Sequence, residues 1–249
     1  MKRPMKLVRN SAKVMYSLAV RKKSKKLGSK MRRVIISDIH IGSKNYKAEE
    51  LISFLKKAEY DQLILAGDII DFIKIPSFTK RFLDIIKAVD FSKDIIYVVG
   101  NHESSMKGLI GESIYGVSFV DKYEFEDGER LFRIEHGDRY DGGLVKKDFL
   151  MKIISIFHDW LERRFDVDLA TWLVEYKLKK RKLRRIWDIL KWNDDVDVII
   201  MGHSHHPEAI IWVDNKQKIK TYVNCGDWVS HQSWVSVEDG IVRLRSEAG

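Results

Sequence analysis

The 249-residue sequence predicts an α/β protein, a four-layer α/β/β/α sandwich of two mixed sheets face to face with a helical insertion. Three observations predict it. From Arg33 to Val99, runs of β-branched and apolar residues alternate with helical stripes; this β-α-β-α-β order implies a parallel sheet with right-handed crossovers. A second set of strand-like runs returns towards the C-terminus. Between the two sets, residues 144–192 contain neither Pro nor Gly but four of the seven Trp.

Arg33–Ser37 reads as the first strand. Tyr46 to Ala58 places Leu51, Ile52 and Leu55 at helical spacing, and Gln62–Ala66 is the next apolar run. Phe78 to Val89 reads as a helix through Phe82, Leu83, Ile85 and Ile86, and Asp94–Val99 as a third strand. Val117–Phe125 and Arg130–Glu135 read as strands about a turn at Asp127-Gly128. The 144–192 block carries Trp160, Trp172, Trp187 and Trp192 beside Phe149, Ile153 and Phe157, which predicts two or three inserted helices. Asp194–Met201 returns to the sheet. Glu208–Val213, Ile219–Asn224, Gln232–Val237 and Ile241–Arg245 are short strands, with turn chemistry at Asp214-Asn215 and Asp239-Gly240.

At 45% apolar content the chain can bury one substantial core. A lone cysteine, Cys225, excludes an internal disulfide framework, reads as a small buried hydrophobe and suits a reducing, cytoplasmic setting. No stretch reaches the ~18–20 apolar residues of a membrane span, which predicts a soluble protein. The formal charge of +9 is concentrated: residues 1–33 hold thirteen Lys or Arg and no acid, leaving 32 basic against 36 acidic residues beyond, about −4. Residues 1–31 are therefore a basic N-terminal arm, and 32–249 the folded domain. A second basic cluster, Lys177 to Arg185, flanks the insertion. Two readings stand for the arm: a solvated tail, or attraction to an anionic membrane surface at ~1 kcal/mol per basic residue. No groove-reading module or aromatic-interleaved platform points to nucleic acid.

The chemistry lies in five segments: Asp38-x-His40, Gly67-Asp68-x-x-Asp71, Gly100-Asn101-His102-Glu103, His136-Gly137-Asp138 and Gly202-His203-Ser204-His205. Nearly all follow a buried-strand run, and ligands at the carboxyl ends of neighbouring strands converge in space. Oxygen and imidazole donors without thiolate suit Mn²⁺, Fe²⁺, Mg²⁺ or Zn²⁺. Isolated histidines elsewhere (His158, His206 and His231) read as hydrogen-bonded core. Glu103, Asp138 and Asp141 are candidates to orient ligand histidines.

All five segments, in this order, make the sequence from about Arg33 to its end resemble the calcineurin-like metallophosphoesterases. The resemblance implies two divalent metals, with Mn²⁺ the first choice. One would be held by Asp38, His40 and His205, the other by Asn101, His136 and His203, with Asp68 bridging. It also implies that His102, oriented by Asp71, stabilises the transition state or protonates the leaving oxygen. Gly202 to Pro207, Tyr222 to Trp228, Ile36 to Gly42 and His136 to Asp141 are similar to the UDP-2,3-diacylglucosamine diphosphatase branch. That branch cleaves the pyrophosphate of a UDP-linked acylated sugar, releasing UMP, and carries a helical lid where this chain has residues 144–192. Its lipid A members have Arg at the place of His102, whereas His is the broader family pattern. The insertion is then either an acyl-chain slot and membrane contact or a helical layer packed by its apolar face. Three functional readings follow: a peripheral-membrane pyrophosphohydrolase of a nucleotide-diphospho-lipid or -sugar, an esterase of soluble nucleotides or phosphoproteins, and a metal-bearing scaffold with little turnover.

Overall fold

The computed structural model describes residues 31–43, 46–71, 80–140 and 182–247. Nearly all of the basic arm, the predicted insertion up to residue 181, His158, Asp141, Trp160 and Trp172 lie outside the described residues.

Strands β1 (Arg33–Ile36), β2 (Gln62–Ala66) and β3 (Asp94–Val98) run parallel, with Val34 opposite Leu63 and Leu63 opposite Ile95. Their near-continuous apolar runs are explained by burial on both faces. One face sends Val34, Ile36, Leu63, Ile95 and Tyr97 into a core shared with the helices α1 (Ala48–Lys57) and α2 (Lys80–Ala88). The other sends Ile35, Ile64, Ala66, Ile96 and Val98 into the core between the sheets. Each fully buried Ile or Leu contributes roughly 1.5–3 kcal/mol over leaving it exposed. Helix α1 buries Leu51, Phe54 and Leu55, and Glu49 and Glu50 in its first turn with Lys56 and Lys57 in its last suit the helix dipole.

With β4 (Ser113–Ile114), β5 (Val117–Val120), β11 (Ser233–Glu238) and β12 (Ile241–Ser246), the larger sheet has seven strands among the described residues, ordered β12-β11-β1-β2-β3-β5-β4. The smaller sheet is formed, among the same described residues, by β6 (Lys122–Asp127), β7 (Arg130–Glu135), β8 (Val198–Met201), β9 (Glu208–Val213) and β10 (Ile219–Asn224), ordered β6-β7-β8-β10-β9. Strands β7, β8 and β10 are mutually parallel. The predicted two mixed sheets with helices are therefore present.

One predicted strand is corrected. Val117–Phe125 is two strands that part at Asp121: β5 pairs with β3 in the larger sheet, while β6 pairs with β7 in the smaller. The break falls at the exposed charged pair Asp121-Lys122, and the apolar pattern resumes at once beyond it because both halves bury residues between the sheets, Val120 from β5 and Tyr123 and Phe125 from β6. The 3₁₀ turn Ser104–Leu109 and strand β4 are additional to the predicted elements. The sheets are also joined by Arg33, which is 3% exposed, donates to Gln62 Oε1 at 3.0 Å, pairs with Asp127 and lies 4.1 Å over the Phe125 ring.

Residues Gly137–Asp194 form a second compact unit. Within it, a helix at 182–192 buries Ile186, Ile189 and Leu190 at helical spacing. Asn193 Nδ2 donates to the Tyr140 hydroxyl at 2.9 Å and to the Ile189 carbonyl at 2.8 Å, and the Tyr140 ring stacks on Trp192. Among the described residues no helix is long and apolar enough to cross a membrane.

Candidate metal centre

Five strands deliver the candidate residues just beyond their carboxyl ends: β1 gives Asp38 and His40, β2 Asp68, β3 Asn101 and His102, β7 His136, and β8 His203 and His205. A strand alternates its side chains between faces, so residues two apart do not turn from a sheet towards its rim unaided. The backbone supplies the turn. Asp38 (φ 51°), His40 (φ 53°), Asp68 (φ 53°), His203 (φ 68°) and His205 (φ 59°) all adopt left-handed conformations. Such conformations cost an L-residue roughly 1–2 kcal/mol each and concentrate at functional sites.

Three glycines of the motifs fit this crowding. A Cβ on Gly100 would fall on the Asp68 carboxylate, and one on Gly202 would meet Asp38 Oδ2 and come within 2.6 Å of Ser37 Oγ. Gly67, at φ +86°, would drive its Cβ to within 2.6 Å of the His136 ring. Each glycine lets backbone approach the side chain of a candidate ligand on another strand.

All seven predicted ligand residues lie at this rim. His205 Nε2 lies 3.2 Å from His40 Nε2 and 3.4 Å from Asp38 Oδ1, which is itself 3.9 Å from His40 Nε2. His136 Nε2 lies 2.9 Å from Asn101 Oδ1 and 3.2 Å from Asp68 Oδ2. The ligating atoms of Asp38, His40 and His205 lie within 4.8 Å of one another, as do those of Asp68, His136 and His203 and those of His40, Asp68 and His102. Asp68 and His40 thus connect the clusters. Asp38 Oδ1 is buried and accepts no hydrogen bond, while Oδ2 takes the His203 N–H at 2.8 Å. A fully buried carboxylate oxygen with imidazole nitrogens around it and no donor fits a cation, and the O/N donor set fits hard or borderline divalent ions. The cluster is able to bind metal ions.

Its electrostatics are those of a site held ready for positive charge. Burial opposes ionisation of Asp68, but the His136 hydrogen bond and charge and the His102 N–H outweigh it and hold the carboxyl at about 2. Burial likewise disfavours the His136 cation, yet Asp68 and Asp38 raise it to about 9. His136 Nδ1 faces the Ala66 carbonyl at 3.1 Å; donation there leaves Nε2 turned to the cluster. Burial raises Asp38, opposed by His136 and His205, and lowers His40.

His102 stands beside the cluster. Its Nδ1 is 3.1 Å from Asp71 Oδ1, its Nε2 is 3.8 Å from Asp68 Oδ2, and its ring is 28% exposed. The predicted His102–Asp71 pair is thus in contact. Glu103 does not orient a histidine. Fully buried, it accepts the N–H groups of Ile69 (2.7 Å), Ile70 (2.8 Å) and Gly100 (3.0 Å) and the Tyr97 hydroxyl, bracing the Asp68 loop against the Asn101 loop. Asp138 falls in the second unit. His206 is exposed and His231 half-exposed, so neither is the core histidine predicted, whereas Cys225 is fully buried as expected.

Sequence reasoning gave no role to Asp227, which follows β10 and is 2% exposed. Its Oδ2 lies 3.2 Å from His205 Nδ1. The signal was available: an apolar run followed by Gly226-Asp227 repeats the pattern of Gly67-Asp68 after β2.

The calcineurin-like phosphoesterase family model matches residues 31–207. No curated protein matches the sequence. Among solved structures, a predicted phosphoesterase from Streptococcus pneumoniae is similar at 13% identity and TM-score 0.39, over 88% of this chain and 99% of that one. Vacuolar protein sorting 29 from Cryptosporidium parvum is similar at 13% identity and TM-score 0.43, over 88% and 98%. A novel archaeal phosphodiesterase is similar at 14% identity and TM-score 0.43, over 87% and 99%. With the family model covering most of the chain, the protein belongs to the calcineurin-like phosphoesterases, a family of metal-dependent phosphoesterases.

Proposed function

We propose that this enzyme is a two-metal hydrolase of a phosphodiester or pyrophosphate bond, acting on a nucleotide-diphospho-linked lipid or sugar of the UDP-2,3-diacylglucosamine type. The observation that carries it is the convergence of two carboxylate–histidine clusters linked through Asp68 and His40. In this reading Asp38, His40 and His205 would hold one ion and Asn101, His136 and His203 the other, with Asp68 shared between them. When bound, such a pair supplies Lewis acidity at the phosphoryl group and lowers the pKa of a water. The chain's own residues do the rest. Asp71 accepts the Nδ1–H of His102 and leaves Nε2 at the edge of the cluster, 3.8 Å from Asp68 Oδ2, where the partly exposed ring meets substrate. A water that has given one proton to solvent bonds through its oxygen to phosphorus as the leaving P–O bond breaks, and His102, its Nδ1–H retained by Asp71, passes a proton from Nε2 to the departing oxygen and regains one from solvent.

The nucleotide-linked substrate is supported by the sequence around Gly202 to Pro207 and Tyr222 to Trp228, not by pocket geometry. A lipid-linked substrate would bring the protein to a membrane, with the basic arm and the insertion as its contacts and the cytoplasm as its compartment. The test is hydrolysis of a generic aryl phosphodiester with Mn²⁺, then a screen of nucleotide-diphosphate-linked lipids and sugars with products identified by mass. UMP release is the expected outcome. Turnover of soluble phosphodiesters or phosphomonoesters alone removes the lipid-linked reading, and near wild-type activity in Asp68→Ala or His203→Ala removes the site. Flotation with anionic liposomes, with and without residues 1–31, tests the membrane contact; equal absence of binding rejects it.

A further inference from the structure

We infer that Asp227 is the positioning residue that fixes how His205 presents itself to metal, an assignment that rests on the two-metal reading above. Asp227 is buried and its carboxylate is divided between two tasks. Oδ1 accepts three backbone N–H groups, those of Val229 (3.2 Å), Ser230 (2.7 Å) and His231 (2.9 Å), so the carboxylate is pinned by the turn it closes. Oδ2 faces His205 Nδ1 at 3.2 Å.

The turn is itself anchored to the rim. Ser233 N–H donates to the Asp227 carbonyl at 3.1 Å, Ser37 Oγ to the Gly226 carbonyl at 3.2 Å, and Trp228 N–H to the Asp38 carbonyl at 3.2 Å. Trp228 is fully buried with its ring 5.0 Å from Phe54. Asn224 donates to the Gly202 carbonyl at 2.5 Å and accepts the Gly226 N–H at 2.9 Å, tying the loop that carries Asp227 to the loop that carries His203 and His205.

A neutral imidazole has one donor nitrogen and one acceptor nitrogen. An ionised carboxylate only accepts, so Asp227 Oδ2 draws the ring proton to Nδ1 and leaves the Nε2 lone pair to the cluster, 3.4 Å from Asp38 Oδ1. The His205 side chain is 40% exposed, against 1% for His136, whose Nδ1 faces a backbone carbonyl between packed elements. Packing holds His136; for His205 the carboxylate must supply the constraint. His231, with Nδ1 3.4 Å from the same Oδ2, bounds the carboxylate on its other side.

Asp227→Asn separates positioning from structure. The amide oxygen keeps the three N–H groups, but the NH₂ then faces His205 Nδ1, favouring the tautomer with its proton on Nε2. Calorimetric titration with Mn²⁺ should show two equivalents in the wild type and one of them weakened roughly 10–100-fold in D227N, with the far-UV spectrum unchanged. His205→Ala should weaken the same equivalent, and D227N should add nothing to it. Wild-type affinity at both equivalents in D227N, or equal weakening of both, overturns the role of Asp227. A wild type that binds fewer than two equivalents overturns the two-metal reading beneath it. A second measurement needs no variant: long-range ¹H–¹⁵N spectra of the Zn²⁺-loaded wild type should show His205 protonated at Nδ1, and coordination through Nδ1 overturns the assignment.

Discussion

Gly202→Ala is the sharpest test of how closely the strand ends are fitted together. The added Cβ would lie 2.6 Å from Ser37 Oγ and 2.7 Å from Ser37 Cβ, and closer still to Asp38 Oδ2. Ordinary contacts lie at about 3.5–4.0 Å, so Ser37 and Asp38 would have to retreat by about 1 Å. Both are fully buried and cannot move into solvent. Overpacking of this kind costs roughly 1–3 kcal/mol. Disturbing the 2.8 Å bond from His203 N–H to Asp38 Oδ2 adds a charge-assisted hydrogen bond of roughly 1.5–3 kcal/mol. A loss of about 3–5 kcal/mol lowers the melting temperature of a chain this size by about 6–20 °C. Because the displaced group is a candidate ligand, kcat should fall by about a hundredfold as well. Gly108→Ala is the control: it lies in the 3₁₀ turn Ser104–Leu109, nothing approaches within 4 Å, and it should stay within about 0.5 kcal/mol of wild type. The assays are scanning calorimetry and steady-state hydrolysis with Mn²⁺. A Gly202→Ala protein that melts and turns over like Gly108→Ala would refute the close-approach reasoning.

His102→Gln should lower kcat by roughly 10²–10⁴-fold while leaving both Mn²⁺ equivalents in place, and Asp71→Asn should lower it less; loss of a metal equivalent in either would move His102 into the ligand set. Glu103→Gln turns an amide N–H towards backbone donors and should destabilise the fold by about 2–4 kcal/mol in denaturant titration; an unchanged midpoint would show that the brace between the Asp68 and Asn101 loops carries no weight. In the metal-free protein, His136 is raised from 6.5 to about 9 and Asp68 lowered from 3.8 to about 2 by the same contact. Its stabilisation, about 3 kcal/mol at most, should be full from about pH 4 to 6.5, fade as pH rises through 9, and fade again as pH falls through 2; a thermal-stability profile flat from pH 6.5 to 10 would contradict it.

The fold was legible where one pattern had one cause. Apolar runs buried on both faces announced β1, β2, β3 and β8, and the order of elements fixed the parallel sheet. The strand boundary at Asp121 was not legible, because Phe119 and Val120 before the exposed Asp121-Lys122 pair and Tyr123 and Phe125 after it are all buried, and two polar residues alone do not show that the chain changes sheet. Site residues could be read from types and spacing, and they are brought together at one rim. The partners of their far nitrogens could not be read: Ala66 carbonyl for His136 and Asp227 for His205 come from other strands. His231 was misread as core because a lone histidine has no periodicity to show that it lies by Asp227 at the rim.

The left-handed conformations were also hidden, and they explain why the motifs have the spacing they do. In an extended chain, residues two apart share a face, so Asp38-x-His40 and His203-x-His205 would lie along their strands rather than converge at the end. With both members of each pair at positive φ, the backbone coils past the strand end, bringing Asp38 and His40 into one cluster and turning His205 into that cluster and His203 into the one beside it. His and Asp tolerate this region better than β-branched residues, so the ligand types and the strained backbone suit one another. The strain is sustained because flanking residues are locked: His40 N–H donates to the Asp68 carbonyl at 3.0 Å, Asp38 N–H to the Gly67 carbonyl at 3.1 Å, and Gly202 N–H to the His136 carbonyl at 3.1 Å. Each bond joins two ligand-bearing strand ends, so each loop is held in place by its neighbours rather than by its own strand alone.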